Sequence, residues 1–242
     1  MNDILNHNKY LEESGGNIFF IQALLCNAVV TKHSNILEIG CGTGVFGEYF
    51  LTITQAKLIG LEQSLVRAKI ASDRIKCIYV PNGNIPKELG TFDLIYCQAV
   101  LPLIDNKIQF YKMTNHHLKE GGTFCSYIPS IEDIITKPLY RFIPLDAEGS
   151  IGRYQSIEEN IKLMYNAGFN EVSTIRIPLG SVWLNDYYVF KHWDGYFSNS
   201  KKIGNNERRT KSLKKMQTSL NTLSDYGITC HYKFERTMLI GK

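Results

Sequence analysis

The chain has 242 residues, 44% of them hydrophobic and 21% charged, with a formal net charge of +4. That is an ordinary globular composition with length for one substantial core, and the charge is too mild to argue for nucleic acid on its own. No apolar run approaches the roughly 20 residues needed to span a bilayer, and residues 1–17 contain no apolar signal core, so neither membrane insertion nor secretion is expected. The six cysteines (Cys26, Cys41, Cys77, Cys97, Cys125 and Cys230) are scattered singly. None is spaced for zinc ligation or a redox dithiol, and a reduced, cytoplasmic chain is expected.

In chain order, Asn17 to Val30 carries apolar residues on more than one helical face and reads as a buried helix, ended by Ser34 and Asn35. Short apolar runs then recur at 36–39, 57–61, 77–80, 93–97 and 123–128. Helical or polar stretches separate them, the alternation of an α/β fold with a parallel, doubly wound sheet covered on both faces. The spacing predicts a helix from Val45, another from Asn106 to Leu118 stopped by Gly121 and Gly122, and a third from Ser156 to Gly168 opened by a Ser156/Glu159 capping box. Two more strands are predicted, Glu171 to Ile177 and Phe234 to Ile240. The stretch between them is too long for a simple connection, so Trp183 to Tyr232 is expected to be an inserted helical lid within a single domain. Its helix candidates are Tyr187 to Phe197 and Arg208 to Leu223.

The run NILEIGCGTG places Glu38, Gly40, Gly42 and Gly44 where the first strand ends and a helix begins. This is not the dinucleotide spacing, because the third glycine follows the second after one residue instead of three. Alternating glycines let the backbone press against an amino-acid and sugar moiety. Glu62 ends the next strand, where a carboxylate can accept two hydrogen bonds from a ribose diol. Asn84, after the third strand, is placed to meet an adenine edge, although turn chemistry around Pro81, Asn82 and Gly83 would equally account for an asparagine. The run FDLIYCQAV supplies a fourth strand ending at the same edge.

In these elements the chain resembles the class I S-adenosylmethionine-dependent methyltransferases, from about Ile36 to Gly168. The resemblance implies a Rossmann-like seven-stranded sheet ending in an antiparallel hairpin. It also implies S-adenosyl-L-methionine as cofactor, held by Glu38, Gly40, Cys41, Gly42, Gly44, Glu62, Gln63, Asn84 and Gln98.

For the methyl acceptor, the Asn/Asp-Pro-Pro-aromatic tetrad of base methylation is absent, the corresponding loop reading Gln98 to Pro102. There is no Asp and His cluster at metal-ligand spacing, and His116 and His117 sit late in a helix, pointing to different faces. The region from Asn185 onward, with Tyr10 and Gly152-Arg153-Tyr154, resembles the malonyl-ACP O-methyltransferases of biotin synthesis, the BioC type. That likeness implies that Arg153 binds the acceptor carboxylate and that Tyr10 and Tyr154 wall the pocket. The family usually has Gln-Trp where this chain has Leu101-Pro102, which leaves another small carboxylate, hydroxyl or amine open as acceptor, with an RNA-binding methyltransferase or a degenerate binding module behind them. From Lys201 to Lys215, seven Lys or Arg residues stand against Glu207 alone. Arg208, Arg209, Lys211, Lys214 and Lys215 form either a docking face for an acidic acyl carrier protein or a solvated helix face.

Overall fold

The computed structural model describes residues 16–128, 130–135, 152–183 and 231–242, with the single positions 218, 221, 222, 225 and 226. Its strands are β1 (Asn35–Ile39), β2 (Lys57–Glu62), β3 (Lys76–Tyr79), β4 (Phe92–Gln98), β5 (Leu118–Ile128), β6 (Val172–Trp183) and β7 (His231–Gly241). They make one seven-stranded sheet in the order β3-β2-β1-β4-β5-β7-β6. The first five are mutually parallel, and β7 runs antiparallel to both β5 and β6. This is the doubly wound sheet with an antiparallel hairpin that the sequence led us to expect.

The strands read as continuous apolar runs because helices cover both faces. On one face Phe20 and Leu24 of α1 (Gly16–Asn27), Phe46 and Phe50 of α2 (Val45–Thr54) and Ala71 of α3 (Leu65–Ala71) pack on Ile36, Leu94, Tyr96 and Tyr127. On the other, Phe110 and Tyr111 of α4 (Lys107–His116) join Leu37, Ile95 and Phe124. A short α5 (Ile131–Ile135) follows β5, and Met164 of α6 (Ile157–Asn166) enters the same second cluster. The predicted capping box is present: Ser156 Oγ accepts from Glu159 N, and Glu159 Oε2 accepts from Ser156 N at 2.9 Å.

Two expectations are corrected. The helix after β4 does not run to a glycine stop; it ends at His116, and β5 begins at Leu118. Gly121 and Gly122 instead shape an irregularity inside β5, where the register to β4 shifts between Phe92 and Leu94. Gly121 has φ +71°, and a Cβ on Gly122 would sit 2.9 Å from the carbonyl oxygens of Lys119 and Phe92, so the strands close there only without side chains. The His pair does split between faces: His117 is buried, its Nδ1 2.7 Å from the Gly90 carbonyl, while His116 is exposed. The second correction concerns the hairpin, whose strands stay paired out to Trp183↔His231, so Trp183 and Tyr232 belong to the sheet and not to the insertion. Thr218, Asn221, Thr222 and Asp225 are helical, placing helix beyond the predicted end at Leu223. The remainder of 184–230, with the candidate helix Tyr187 to Phe197, lies outside the described residues.

Candidate active site

In this strand order the winding direction reverses between β1 and β4, which opens a crevice at their carboxyl ends. The loop after β1 enters it with Gly40, Gly42 and Gly44 at φ +73°, +59° and +79°, a region that side-chain-bearing residues avoid. The three glycines differ in what surrounds them. A Cβ on Gly40 would lie 2.5 Å from Val100 Cγ2, and one on Gly44 3.1 Å from the Ala71 backbone, whereas a Cβ on Gly42 would meet nothing within 4 Å. Gly40 and Gly44 are therefore required by protein packing. Gly42 faces open space, the cradle a ligand in close backbone contact needs.

Glu62 closes the far side of this loop. Its Oε2 accepts from Gly42 N at 2.9 Å and its Oε1 from Ser64 N at 2.8 Å. The carboxylate is thus fixed beside Gly42, and each oxygen keeps a lone pair for a ribose hydroxyl. Glu38 lies below the loop, between Gly60 of β2 and Tyr96 of β4 in the register. Its Oε2 would be 2.6 Å from a Cβ on Gly47, so Gly47 lets α2 settle onto the carboxyl. Burial pushes the Glu38 carboxyl up to about 8, with the nearby Tyr96 hydroxyl pulling the other way and the charge of Glu62 adding to the rise. Among the described residues neither Glu38 Oε2 nor the Tyr96 hydroxyl makes a well-formed hydrogen bond.

Cys41 is buried with its Sγ 3.6 Å from that of Cys77, and burial raises both thiols above their ordinary range. Gln63 is exposed and borders the next loop, its Oε1 3.5 Å from where a Gly83 Cβ would be. In that loop Asn84 N donates to Asn82 Oδ1 at 3.1 Å, so it is Asn82 that sets the turn, leaving the Asn84 side chain exposed. Gln98 ends β4 on the face of Tyr96, and its Nε2 is buried with no hydrogen-bond partner among the described residues. The open space at Gly42, the fixed Glu62 carboxylate and this orphaned amide together fit a ligand bearing a sugar diol and a polar chain end.

The acceptor candidates fall into two groups. Arg153 and Tyr154 line a cavity with Leu101, Pro102 and Ile128, at the ends of β4 and β5. Tyr10, Arg208, Arg209, Lys211, Lys214 and Lys215 lie outside the described residues. Three residues escaped the sequence reading. Val100 packs on Gly40. Arg74 braces the glycine loop, its Nη1 3.5 Å from the Thr43 carbonyl and its Nε 3.1 Å from Glu48. Arg236 stands on β7 with its guanidinium 5.6 Å from the Tyr127 ring centre. A lone Arg outside any motif gave no signal for the last two. Among the described residues no group of three or more His, Cys, Asp or Glu could hold a metal, and no helix is long and apolar enough to cross a membrane.

Comparison with known proteins agrees with this geometry. Residues 14–174 match the methyltransferase domain family. Trans-aconitate 2-methyltransferase of Deinococcus radiodurans is 24% identical over 124 residues, which is 50% of this chain and 48% of that protein, so the chain spans about half the length of this curated relative. A methyltransferase from an antibiotic biosynthesis pathway of Anabaena variabilis superposes with a TM-score of 0.70 at 15% identity, over 93% of this chain and 97% of that one. Geranyl diphosphate C-methyltransferase of Streptomyces coelicolor, solved with S-adenosyl-L-homocysteine, gives 0.56 at 12% identity over 92% and 77%. With the family match covering most of the chain, the chain belongs to the methyltransferase domain family, and the cradle at Gly42 and Glu62 suits S-adenosylmethionine as its cofactor.

Proposed function

We propose that this methyltransferase esterifies the carboxylate of a small organic acid, with the malonyl group of a malonyl-ACP as its first candidate acceptor. The observation that carries this reading is the juxtaposition of Arg153 and Tyr154 with the Leu101-Pro102 loop, around a small cavity at the ends of β4 and β5. A planar guanidinium can donate two parallel hydrogen bonds to one carboxylate and fix which oxygen faces the donor. The named acceptor of the Deinococcus relative, trans-aconitate, is itself a polycarboxylate, which supports an acid here.

When bound, S-adenosylmethionine supplies an electrophilic methyl group on a sulfonium. Gly42, Glu62 and Gln98 are the residues that would hold it, in a loop whose turn Gly40 and Gly44 permit. A carboxylate with a reference pKa of about 4 is already ionised at neutral pH, so the protein need not remove a proton. Its task is alignment and exclusion of water, and the apolar Leu101, Pro102 and Ile128 beside Arg153 are suited to that.

The test is an assay of the wild type with malonyl-ACP, followed by Arg153→Ala. Turnover lost in the variant, with S-adenosylhomocysteine affinity and melting temperature unchanged, is the expected result. A wild type that methylates amines or alcohols but no carboxylic acid overturns the reading and leaves the methyltransferase assignment standing.

A further inference from the structure

Arg236 is a cation the mechanism above does not use. It shares with Met238 and Ile240 the sheet face that carries α1 and α2, because alternate residues of a strand point the same way. Thr237 pairs with Ile128, so Arg236 lies one step beyond the carboxyl end of β5, at the rim of the crevice. Inward from it, Met238 pairs with Tyr127 and Tyr127 with Gln98. The Arg236 backbone is thus two strand spacings, about 10 Å, from the end of β4, and its guanidinium leans back over the Tyr127 ring, shortening that gap.

Its surroundings are unusual for an arginine at a sheet end. The neighbouring Arg176, on the opposite edge of the hairpin, is tied by Asp133 and Glu235. Among the described residues Arg236 has no carboxylate partner, and only the Tyr127 ring faces it. A guanidinium packed against an aromatic ring leaves N–H donors in its own plane for an anion. On the same face and two strands nearer the glycine loop is Gln98, at the cofactor cradle. Among the described residues no carboxylate answers Arg236 at this crevice end.

We propose that Arg236 is a substrate-recognition residue, and that it binds an anionic group of the methyl acceptor on the α1–α2 face of the sheet. Leu101 and Ile128, which line the Arg153 cavity, belong to the core of the opposite face. Cations thus stand on both faces at the ends of β4 and β5, an arrangement matched to an acceptor with two acidic groups, one held while the other is methylated, which favours a free dicarboxylic acid over a malonyl thioester among the carboxylate acceptors. The inference rests on the carboxylate reading above, since an uncharged acceptor has no use for either arginine.

The experiment compares wild type, Arg236→Gln and Arg236→Lys, first by calorimetric titration of their S-adenosylhomocysteine complexes with malonate, succinate and glutarate and with the dimethyl ester of each. The dicarboxylate bound best by wild type is expected to bind Arg236→Gln at least tenfold more weakly, Arg236→Lys by less, and its diester almost equally in all three. In turnover, KM for that acid should rise by the same factor with kcat changed less than twofold. Equal binding and equal KM in wild type and Arg236→Gln overturn the proposal, as does an equal loss for dicarboxylate and diester, which marks a structural role on Tyr127. A wild type that binds none of these acids overturns it too. Turnover of carboxylic acids unaffected by Arg236→Gln would sink the role of Arg236 alone, whereas turnover of uncharged acceptors only would sink the carboxylate reading itself.

Discussion

The two glycines Gly40 and Gly42 share a left-handed backbone but differ in what lies beyond the missing side chain, and this difference separates a structural glycine from a ligand-facing one. Alanine at either position carries the left-handed penalty of about 1–2 kcal/mol, lessened by about 0.4–1 kcal/mol because alanine also restricts the unfolded chain. At Gly42 nothing lies within 4 Å of the new Cβ, so the net loss of stability should stay near about 1 kcal/mol. At Gly40 the Cβ would sit 2.5 Å from Val100 Cγ2, well inside a normal carbon contact. Moving Val100 adds an overpacking cost of about 1–3 kcal/mol.

Stability and affinity should therefore dissociate. Gly42→Ala is expected to unfold in urea close to the wild type, yet to bind S-adenosylhomocysteine at least tenfold more weakly, since its methyl group enters the space the ligand backbone contact occupies. Gly40→Ala should lose markedly more stability, and Gly40→Ala with Val100→Ala should regain the packing share while keeping the backbone share. Urea titration and calorimetry on the same preparations give both quantities. Undiminished affinity in Gly42→Ala would refute the assignment of that open space to the cofactor.

Two other perturbations test the carboxylates around this loop. Glu62→Gln must turn an N–H donor toward either Gly42 N or Ser64 N, both of which now donate to the carboxylate; it should weaken S-adenosylhomocysteine by about 1.5–3 kcal/mol, roughly ten- to hundredfold, by calorimetry. Glu38, raised from 4.5 to about 8 in the folded chain, keeps its proton where the unfolded chain has released it. Its contribution to stability is therefore complete below pH 4.5 and is lost as pH rises to about 8, with a slope of at most about 1.4 kcal/mol per pH unit. Urea midpoints measured from pH 5 to 8 should show that decline in the wild type and its removal in Glu38→Gln; parallel profiles would contradict it.

What the sequence discloses follows from how local each determinant is. The parallel strands are apolar runs, the capping box at Ser156 is a contact between residues three apart, and the glycine loop states its own backbone requirement in its residue types. Each can be read from a window of a few residues. The glycine stop failed because Gly122 answers to the carbonyl of Phe92 on a neighbouring strand, a contact no local pattern encodes. The hairpin outran its expected ends for a related reason, since β6 and β7 hold each other beyond the apolar stretch that announced them. Asp133 is the extreme case: this buried carboxylate in α5 accepts from Ser130 N of its own turn and is also tied to Arg176 on β6 and Thr237 on β7, clasping the exit of β5 to the hairpin. In the sequence it is one of two adjacent acids among isoleucines.

The same distinction separates the two halves of the site. Cofactor recognition in this fold is largely backbone geometry at the ends of β1 and β2, so glycines and one acid in adjacent βα units are enough to declare it. Acceptor recognition, on the reading proposed above, falls to side chains brought in from distant segments: Leu101 and Pro102 after β4, Arg153 ahead of α6, and Arg236 on β7. Strand order alone makes them neighbours, because β7 inserts between β5 and β6 and carries Arg236 to the rim beside Tyr127. A change in acceptor can thus be written into β7 or the loop before α6 with no change in the glycine run. The pocket loop that departs from the BioC pattern and the intact cofactor cradle are then two independent facts about one site, and acceptor specificity has to be sought on both faces of the sheet.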